Sequence, residues 1–211
     1  VDDASTDNGL ALVKDWMHKQ ALDDNKNFAR LSLLKHSKNQ GLAAARNTAF
    51  GSATAEWCFL LDADNALFPE ALQKCKQLAA LGSKQLAVVH PLILVESEAG
   101  REDDQRSLVG LAPWQKSRLK YENTIDAMAL IRRSAWKAVG GFTHIEDGWE
   151  DYDFWCKLID HGFYGVQCPQ ILAVYRSHKE SMSYLFTNIN WRSLARTLLN
   201  RHPWMTPRSL N

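Results

Sequence analysis

Long apolar runs, an excess of charge of either sign and paired cysteines are all missing from this sequence. The longest apolar stretch, LAVVHPLILV at residues 86–95, is broken by His90 and Pro91 and has about half the ~20 residues a helix needs to cross a bilayer. That excludes a membrane-spanning helix. Lys and Arg number 25 against 24 Asp and Glu, a formal charge of +1. No long-range field therefore selects nucleic acid or a membrane as the main partner, and any charged ligand has to be held locally. The four cysteines (Cys58, Cys75, Cys156, Cys168) form no CxxC pair, and the first three fall in apolar-periodic segments where small buried thiols are common. This usage points to a reducing, cytoplasmic compartment. Internal repeats and low-complexity tracts are absent as well.

What remains is an ordinary globular composition: 211 residues, 45% hydrophobic and 23% charged, enough for one substantial core and a single domain. The opening VDDAS, with no Met and no signal-like region, reads as cut from something longer. Along the chain, strand and helix patterns alternate. VDD closes a strand, and TDNGLALVKDWMHKQAL follows as a helix with Asp7 as N-cap and Leu10, Val13, Trp16 and Met17 on its apolar face. RLSLLKH, EWCFLLDAD, QLAVVHPLILVES, TIDAMALIRR and ILAVYRS read as strands. LAAARNTAFGSA, PEALQKCKQLAAL, SAWKAV, GWEDYDFWCKLIDHG and residues 184–200 read as helices, with Pro69 in a first turn and Gly140-Gly141 closing SAWKAV. Residues 98–120 lack sustained periodicity and read as a long functional loop. Alternation of this kind implies a mainly parallel sheet with helices on both faces and ligands at the carboxyl ends of its strands.

Acids collect at those strand ends. Asp2 and Asp3 end the first strand, Asp62 and Asp64 the strand EWCFLLDAD. Residues two apart on an extended strand share a face, so Asp62 and Asp64 can aim at one hard divalent cation; the alternative is that Asp and Asn end this strand because they suit turns. In GWEDYDFW, Asp147 suits an N-cap and Glu150 the acid of a capping box. Asp151 has no such structural task, although an acid in a first helical turn also gains from the helix dipole. Tyr152, Trp155 and Ile159 form an apolar stripe that anchors this helix and makes it a rigid mount for a carboxylate acting as a general base.

VDDASTD, NQGLAAARNTAF, FLLDADN, GGF followed by GWEDYDFW, and YRSHKESMS stand here in an order and spacing that resembles the inverting glycosyltransferases of family 2. The likeness covers nearly the whole chain. It implies an α/β GT-A fold over residues 1–202, with 203–211 as a tail and without the first strand and helix that supply part of the base-binding floor. The reaction implied is metal-dependent transfer of a sugar from a nucleoside-diphosphate donor, with uridine the expected base, to a hydroxyl on a glycan, lipid-linked or other acceptor.

By the same resemblance Asp3 and Arg46 contact the nucleotide, Asp62 the ribose or the ion, and Asp64 with His178 a manganese or magnesium ion. Asp151 is the base. Trp149 and Glu150 face the acceptor, with packing as the alternative for Trp149 and capping for Glu150. Arg176, Lys179, Ser181 and Ser183 lie beside the donor diphosphate, and Asn39 and Gly41 shape a turn. Localisation is cytoplasmic, with peripheral attachment to the inner face of a membrane left open. The rival reading is a nucleotide-sugar-binding or scaffolding fragment without turnover.

Overall fold

Gly41, at φ 86°, takes the left-handed conformation that starts helix α2 (Leu42–Ser52), a backbone that side chains with a Cβ avoid. Ala43, Arg46 and Phe50 then recur at helical spacing and are buried. In the computed structural model, residues 1–23, 28–97, 107–178 and 181–206 are described. The chain divides into two compact units, Val1–Ala53 and Thr54–Asn211.

The smaller unit contains α1 (Gly9–Leu22) and α2. Its only described strand-like pairing is a parallel bridge of Asp2 with Lys35, made by Asp2 N–H to Leu34 O at 2.8 Å and His36 N–H to Asp2 O at 2.9 Å. RLSLLKH is therefore extended chain with one bridge rather than a strand. Asn8, not Asp7, is the α1 N-cap, and Asp7 instead accepts from Gly9 N–H at 2.9 Å. No residue of α1 is buried, so its expected apolar face is not a core face here: Trp16 is 44% exposed and Val13 42%.

The larger unit is built on β3 (Leu86–Ser97), apolar on both sides of His90 and Pro91 because it is central. Leu86, Ala87, Val88 and Val89 are all at most 1% exposed. The sheet runs β1 (Trp57–Phe59), β5 (Leu130–Arg132), β3, β6 (Tyr164–Ser177), β2 (Ala66–Leu67), with β4 (Ser107–Val109) also on β3. β3 and β6 run parallel over almost their full length, with register shifts beside Pro91, which has no N–H for the ladder. The pairings β1–β5, β3–β5, β3–β4 and β2–β6 are antiparallel. An α/β sheet with flanking helices is what forms, but the parallel character is confined to its longest pair. Strand direction depends on whether a connection crosses the sheet, and the links 60–65 and 110–129 hold no crossover helix longer than α4 (Lys116–Leu119).

α3 (Ala71–Leu81) covers this sheet through Ala71, Cys75 and Ala79, packed with Leu130 and Leu172. Its N-cap is Glu70, so Pro69 precedes the helix instead of opening it. α5 (Arg133–Ala138) follows β5 directly and is closed by Gly140 and Gly141 at φ 76° and 73°. α6 (Glu150–Asp160) carries the largest buried side chains, Tyr152, Phe154 and Trp155. Trp155 Nε1 donates to Ile125 O at 3.1 Å, and Phe142 stacks on Phe154 with centroids 4.2 Å apart. A π-helical turn (Ser183–Thr187) leads into α7 (Asn188–Arg201). Of the expected 98–120 loop, 98–106 lies outside the described residues, and the remainder forms β4 and α4. All four cysteines are free thiols, and burial pushes that of Cys75 up to about 12.

Candidate functional site

In the unit Val1–Ala53, Asp3 organises the turn before α2. Its carboxylate accepts from Gln40 N–H at 2.9 Å, from Gly41 N–H at 2.8 Å and from the His36 ring at 2.6 Å, while Asn39 Nδ2 donates to Asp3 O at 3.3 Å. Burial alone would raise the Asp3 carboxyl, but the His36 and backbone donors outweigh it and hold it below the ordinary carboxylate range. Asn39 and Gly41 are thus turn residues, as the sequence suggests. Arg46 is 9% exposed, which rules out a merely solvated helix charge.

In the unit Thr54–Asn211, the DAD segment is not extended strand. β1 ends at Phe59, and Asn65 N–H bonds back to Asp62 O at 3.2 Å, so Asp62 and Asp64 sit in a turn. The side chain that fixes this turn is Asn65, 8% exposed, whose Oδ1 accepts from Arg176 N–H at 2.9 Å. The register Ala66–Val174 between β2 and β6 carries the turn to the carboxyl end of β6. There Arg176 donates a guanidinium N–H to Asp64 O at 2.9 Å, and His178 Nε2 lies 3.2 Å from Asp64 Oδ2. Two residues 114 positions apart in sequence are so brought together. Arg176 gives one guanidinium N–H to the backbone of this turn and is exposed, a contact that the sequence does not predict.

A separation of 3.2 Å is about what two neighbouring ligands of one octahedral ion show at bond lengths near 2.1 Å. The Asp64 side chain is 47% exposed and that of His178 25%, so an ion could reach both. Among the described residues no group of three or more His, Cys, Asp or Glu side chains gathers as a complete cage. One carboxylate and one imidazole with remaining positions open is the donor set expected of an ion that also binds substrate phosphates.

At the start of α6, Asp151 Oδ2 accepts from Asn123 Nδ2 at 2.9 Å and Oδ1 from Tyr152 N–H at 2.8 Å. Asn123 Oδ1 takes Ile125 N–H at 3.3 Å, which fixes the direction of the amide. Asp147 is not the N-cap; Trp149 is, at φ 66°, with Asp147 itself at φ 72°. Trp149 is half-buried, edge-on to Tyr152 with centroids 5.6 Å apart, and Glu150 is 3% exposed. Asn123, Asn65 and Asp153 were missed from sequence. Asp153 had a weak signal, an acid on the apolar side of a helix; the two asparagines had none, because their partners are 28 and 111 positions away. Lys179 lies outside the described residues, as does the Ser183 side chain.

This arrangement is a GT-A fold. Over 88% of this chain and 51% of the other it superposes with TM-score 0.63 and 20% identity on TarS from S. aureus, solved in complex with UDP-GlcNAc. A mannosyltransferase from Pyrobaculum calidifontis, in complex with GDP-Man and Mn2+, gives TM-score 0.60 at 21% identity over 95% and 52% of the two chains. Residues 1–140 match Glycosyl transferase family 2, and the chain belongs to that family. EpsE of Bacillus subtilis, a protein named as a glycosyltransferase, is 26% identical over 186 residues, 87% of this chain and 62% of its own length. The succinoglycan biosynthesis protein ExoO of Rhizobium meliloti is 33% identical over 88 residues, 42% and 22% of the two chains. The chain thus spans about three fifths of the first of these relatives. No described helix is long and apolar enough to cross a membrane.

Proposed function

We propose that this chain transfers a sugar from a nucleoside-diphosphate donor to an acceptor hydroxyl, in a single displacement that inverts the anomeric carbon. The observation that carries the reading is the meeting of Asp64 with His178 at the end of β6, in a family member whose structural neighbours were solved with UDP-GlcNAc or with GDP-Man and Mn2+. Asp64 and His178 would hold a manganese or magnesium ion, with Asp62 beside it, and Asp3 and Arg46 would contact the nucleotide. Bound there, the ion would act as a Lewis acid for the charge that grows on the departing diphosphate.

Asp151 is the base. Asn123 and the Tyr152 N–H hold its carboxylate in one orientation, and a carboxylate with both oxygens already accepting still has lone pairs for one more proton donor. The acceptor hydroxyl gives its proton to Asp151 as its oxygen forms the bond to the anomeric carbon, and the bond from that carbon to the diphosphate breaks. Glu150, buried at 3% exposure, and Trp149, half-buried beside it, would face the acceptor.

Calorimetry of uridine and guanosine diphosphates with manganese and with chelator tests the site. Positive coupling between ion and nucleotide is expected, because each offsets charge that opposes the other. Equal affinity in both conditions would remove the role given to Asp64 and His178. Proton NMR of the product then reads whether the anomeric configuration inverts.

A further inference from the structure

The turn that leads into α6 is held in a conformation that its own residues disfavour. Asp147, Gly148 and Trp149 have φ of 72°, 121° and 66°, three left-handed residues in succession, two of which carry a Cβ. Non-glycine residues persist in that region only where the surroundings over-determine them, and they collect at active sites and ligand clamps. Within the turn the restraints are local: Gly148 N–H reaches Ile145 O at 3.4 Å, Asp153 N–H reaches Trp149 O at 2.9 Å, and the Trp149 indole stands edge-on to Tyr152. Another restraint comes from 40 positions away. Thr187 Oγ1 donates to Asp147 O at 2.7 Å, and a Cβ on Gly148 would lie 2.6 Å from the same hydroxyl. Glycine at 148, which is buried, is therefore what lets the two segments close on each other.

Thr187 has two ordinary tasks open to it and performs neither. It stands at the N-cap of α7, where a threonine hydroxyl normally accepts a backbone N–H from an extended conformation, but its backbone is already helical (φ −60°, ψ −47°) and it makes no side-chain cap hydrogen bond. It also ends the π-helical turn Ser183–Thr187, from which its hydroxyl could bond back to Met182 O. That oxygen is 3.5 Å away, and a hydroxyl has a single proton, which the shorter contact to Asp147 takes. We propose that Thr187 is a positioning residue: through the turn 147–149 it sets the pose of the Trp149 indole relative to Asp151. The inference rests on the transferase reading above, in which Trp149 faces the acceptor. It divides the work at the start of α6. Asn123 and the Tyr152 N–H orient the carboxylate of Asp151, while Thr187 orients the surface against which the acceptor lies. Loss of the Thr187 hydroxyl should then weaken acceptor binding without slowing the reaction of a bound acceptor.

Fluorine NMR of the chain labelled with 5-fluorotryptophan tests this without donor or acceptor. Among the eight tryptophans, the Trp149 resonance is assigned by its loss in Trp149→Phe. Thr187→Val, which removes the hydroxyl and keeps the shape, should shift or broaden that resonance and leave the line of the buried Trp155 in place, and Thr187→Ser should restore it. In turnover with UDP-sugars as donors and alkyl glycosides as acceptors, Thr187→Val should raise the acceptor KM about 5-fold, the loss of one hydrogen bond, with kcat and donor KM within about 2-fold. A Trp149 line that does not move in Thr187→Val, or that Thr187→Ser fails to restore, overturns the proposal. So does a fall in kcat with the acceptor KM unchanged. Absence of turnover by the parent chain with every donor would count against the transferase reading alone, and the fluorine spectra would still decide the role of Thr187.

Discussion

Two aspartate–histidine pairs in the larger unit have nearly the same chemistry and opposite surroundings. His178 Nε2 lies 3.2 Å from Asp64 Oδ2, and His202 Nε2 lies 3.0 Å from Asp153 Oδ1. The first pair is 25% and 47% exposed, the second 3% and 0%. Asp153 also takes Arg201 Nε at 2.5 Å, and the other ring nitrogen of His202 faces Asp160, so each nitrogen of the ring meets a carboxylate. The buried pair spends its bonding capacity inside the chain and ties the carboxyl-terminal segment to α6. The open pair keeps lone pairs toward solvent, where an ion can reach them. Residue type and distance do not separate a ligand site from a structural clamp; accessible bonding capacity does.

Asp151 stands between these extremes, half-buried with a fixed amide partner, and the largest effect is expected there. Asp151→Asn should lower turnover by roughly 10² to 10⁴ while nucleotide binding persists, the usual range for losing a positioned base. Glu150→Gln should do less. Steady-state rates with the nucleotide-sugar donor decide between the two acids. Normal turnover in Asp151→Asn with loss in Glu150→Gln would assign the base to Glu150.

The closed pair should show its effect in stability. Asp153→Asn removes the carboxylate between Arg201 and His202 and leaves the Arg201 guanidinium facing a neutral amide, at a cost of roughly 3 to 5 kcal/mol. Urea denaturation at neutral pH measures this. Burial by itself would raise the Asp153 carboxyl, but His202 and Arg201 hold it below its ordinary value. Its contribution is therefore present above the ordinary carboxylate range and lost as pH falls through the lower folded value.

How much of this was legible in the sequence follows the same division. Helices α2, α3, α6 and α7 and the central strand β3 were readable because each carries a periodic apolar pattern, and the motifs around Asp64, Asp151 and His178 were readable as short local runs. The direction of β5 was not, since nothing local records whether a connection crosses the sheet. Nor was the exposure of α1, whose Val13 and Trp16 have helical spacing but are 42% and 44% exposed. Asp153 and His202 escaped for a further reason. An acid in a first helical turn and a histidine near a chain end both have ordinary surface explanations, and only their meeting across 49 residues gives them a task.

His90 sharpens the contrast by removing the carboxylate. It is 1% exposed on β3, and burial pushes its pKa down to about 4, so the folded ring is neutral where the unfolded one is charged. The unfolded state binds more protons between pH ~6.5 and ~4, and stability falls as pH drops through that window, by roughly 3 kcal/mol at its lower end. His90→Leu should flatten the upper part of this slope, between pH ~6.5 and ~5, where carboxylates scarcely titrate. Urea midpoints for the two chains across that range check it, and parallel slopes would show that His90 does not carry the effect.

The smallest effect on stability belongs to the open pair. Asp64→Asn and His178→Gln each remove a contact between partly exposed groups, and such pairs contribute about 0–1 kcal/mol. The Asp64 backbone oxygen still takes the Arg176 guanidinium, and Asn65 still holds Arg176 N–H, so the turn keeps its shape without the carboxylate. Melting temperatures of both variants should therefore stay close to that of the parent chain. The same variants should lose the dependence of nucleotide affinity on manganese, because each removes one of the two ligands. A large drop in stability in Asp64→Asn, comparable with that of Asp153→Asn, would show that the open pair is a clamp as well, and the contrast between the two histidines would collapse.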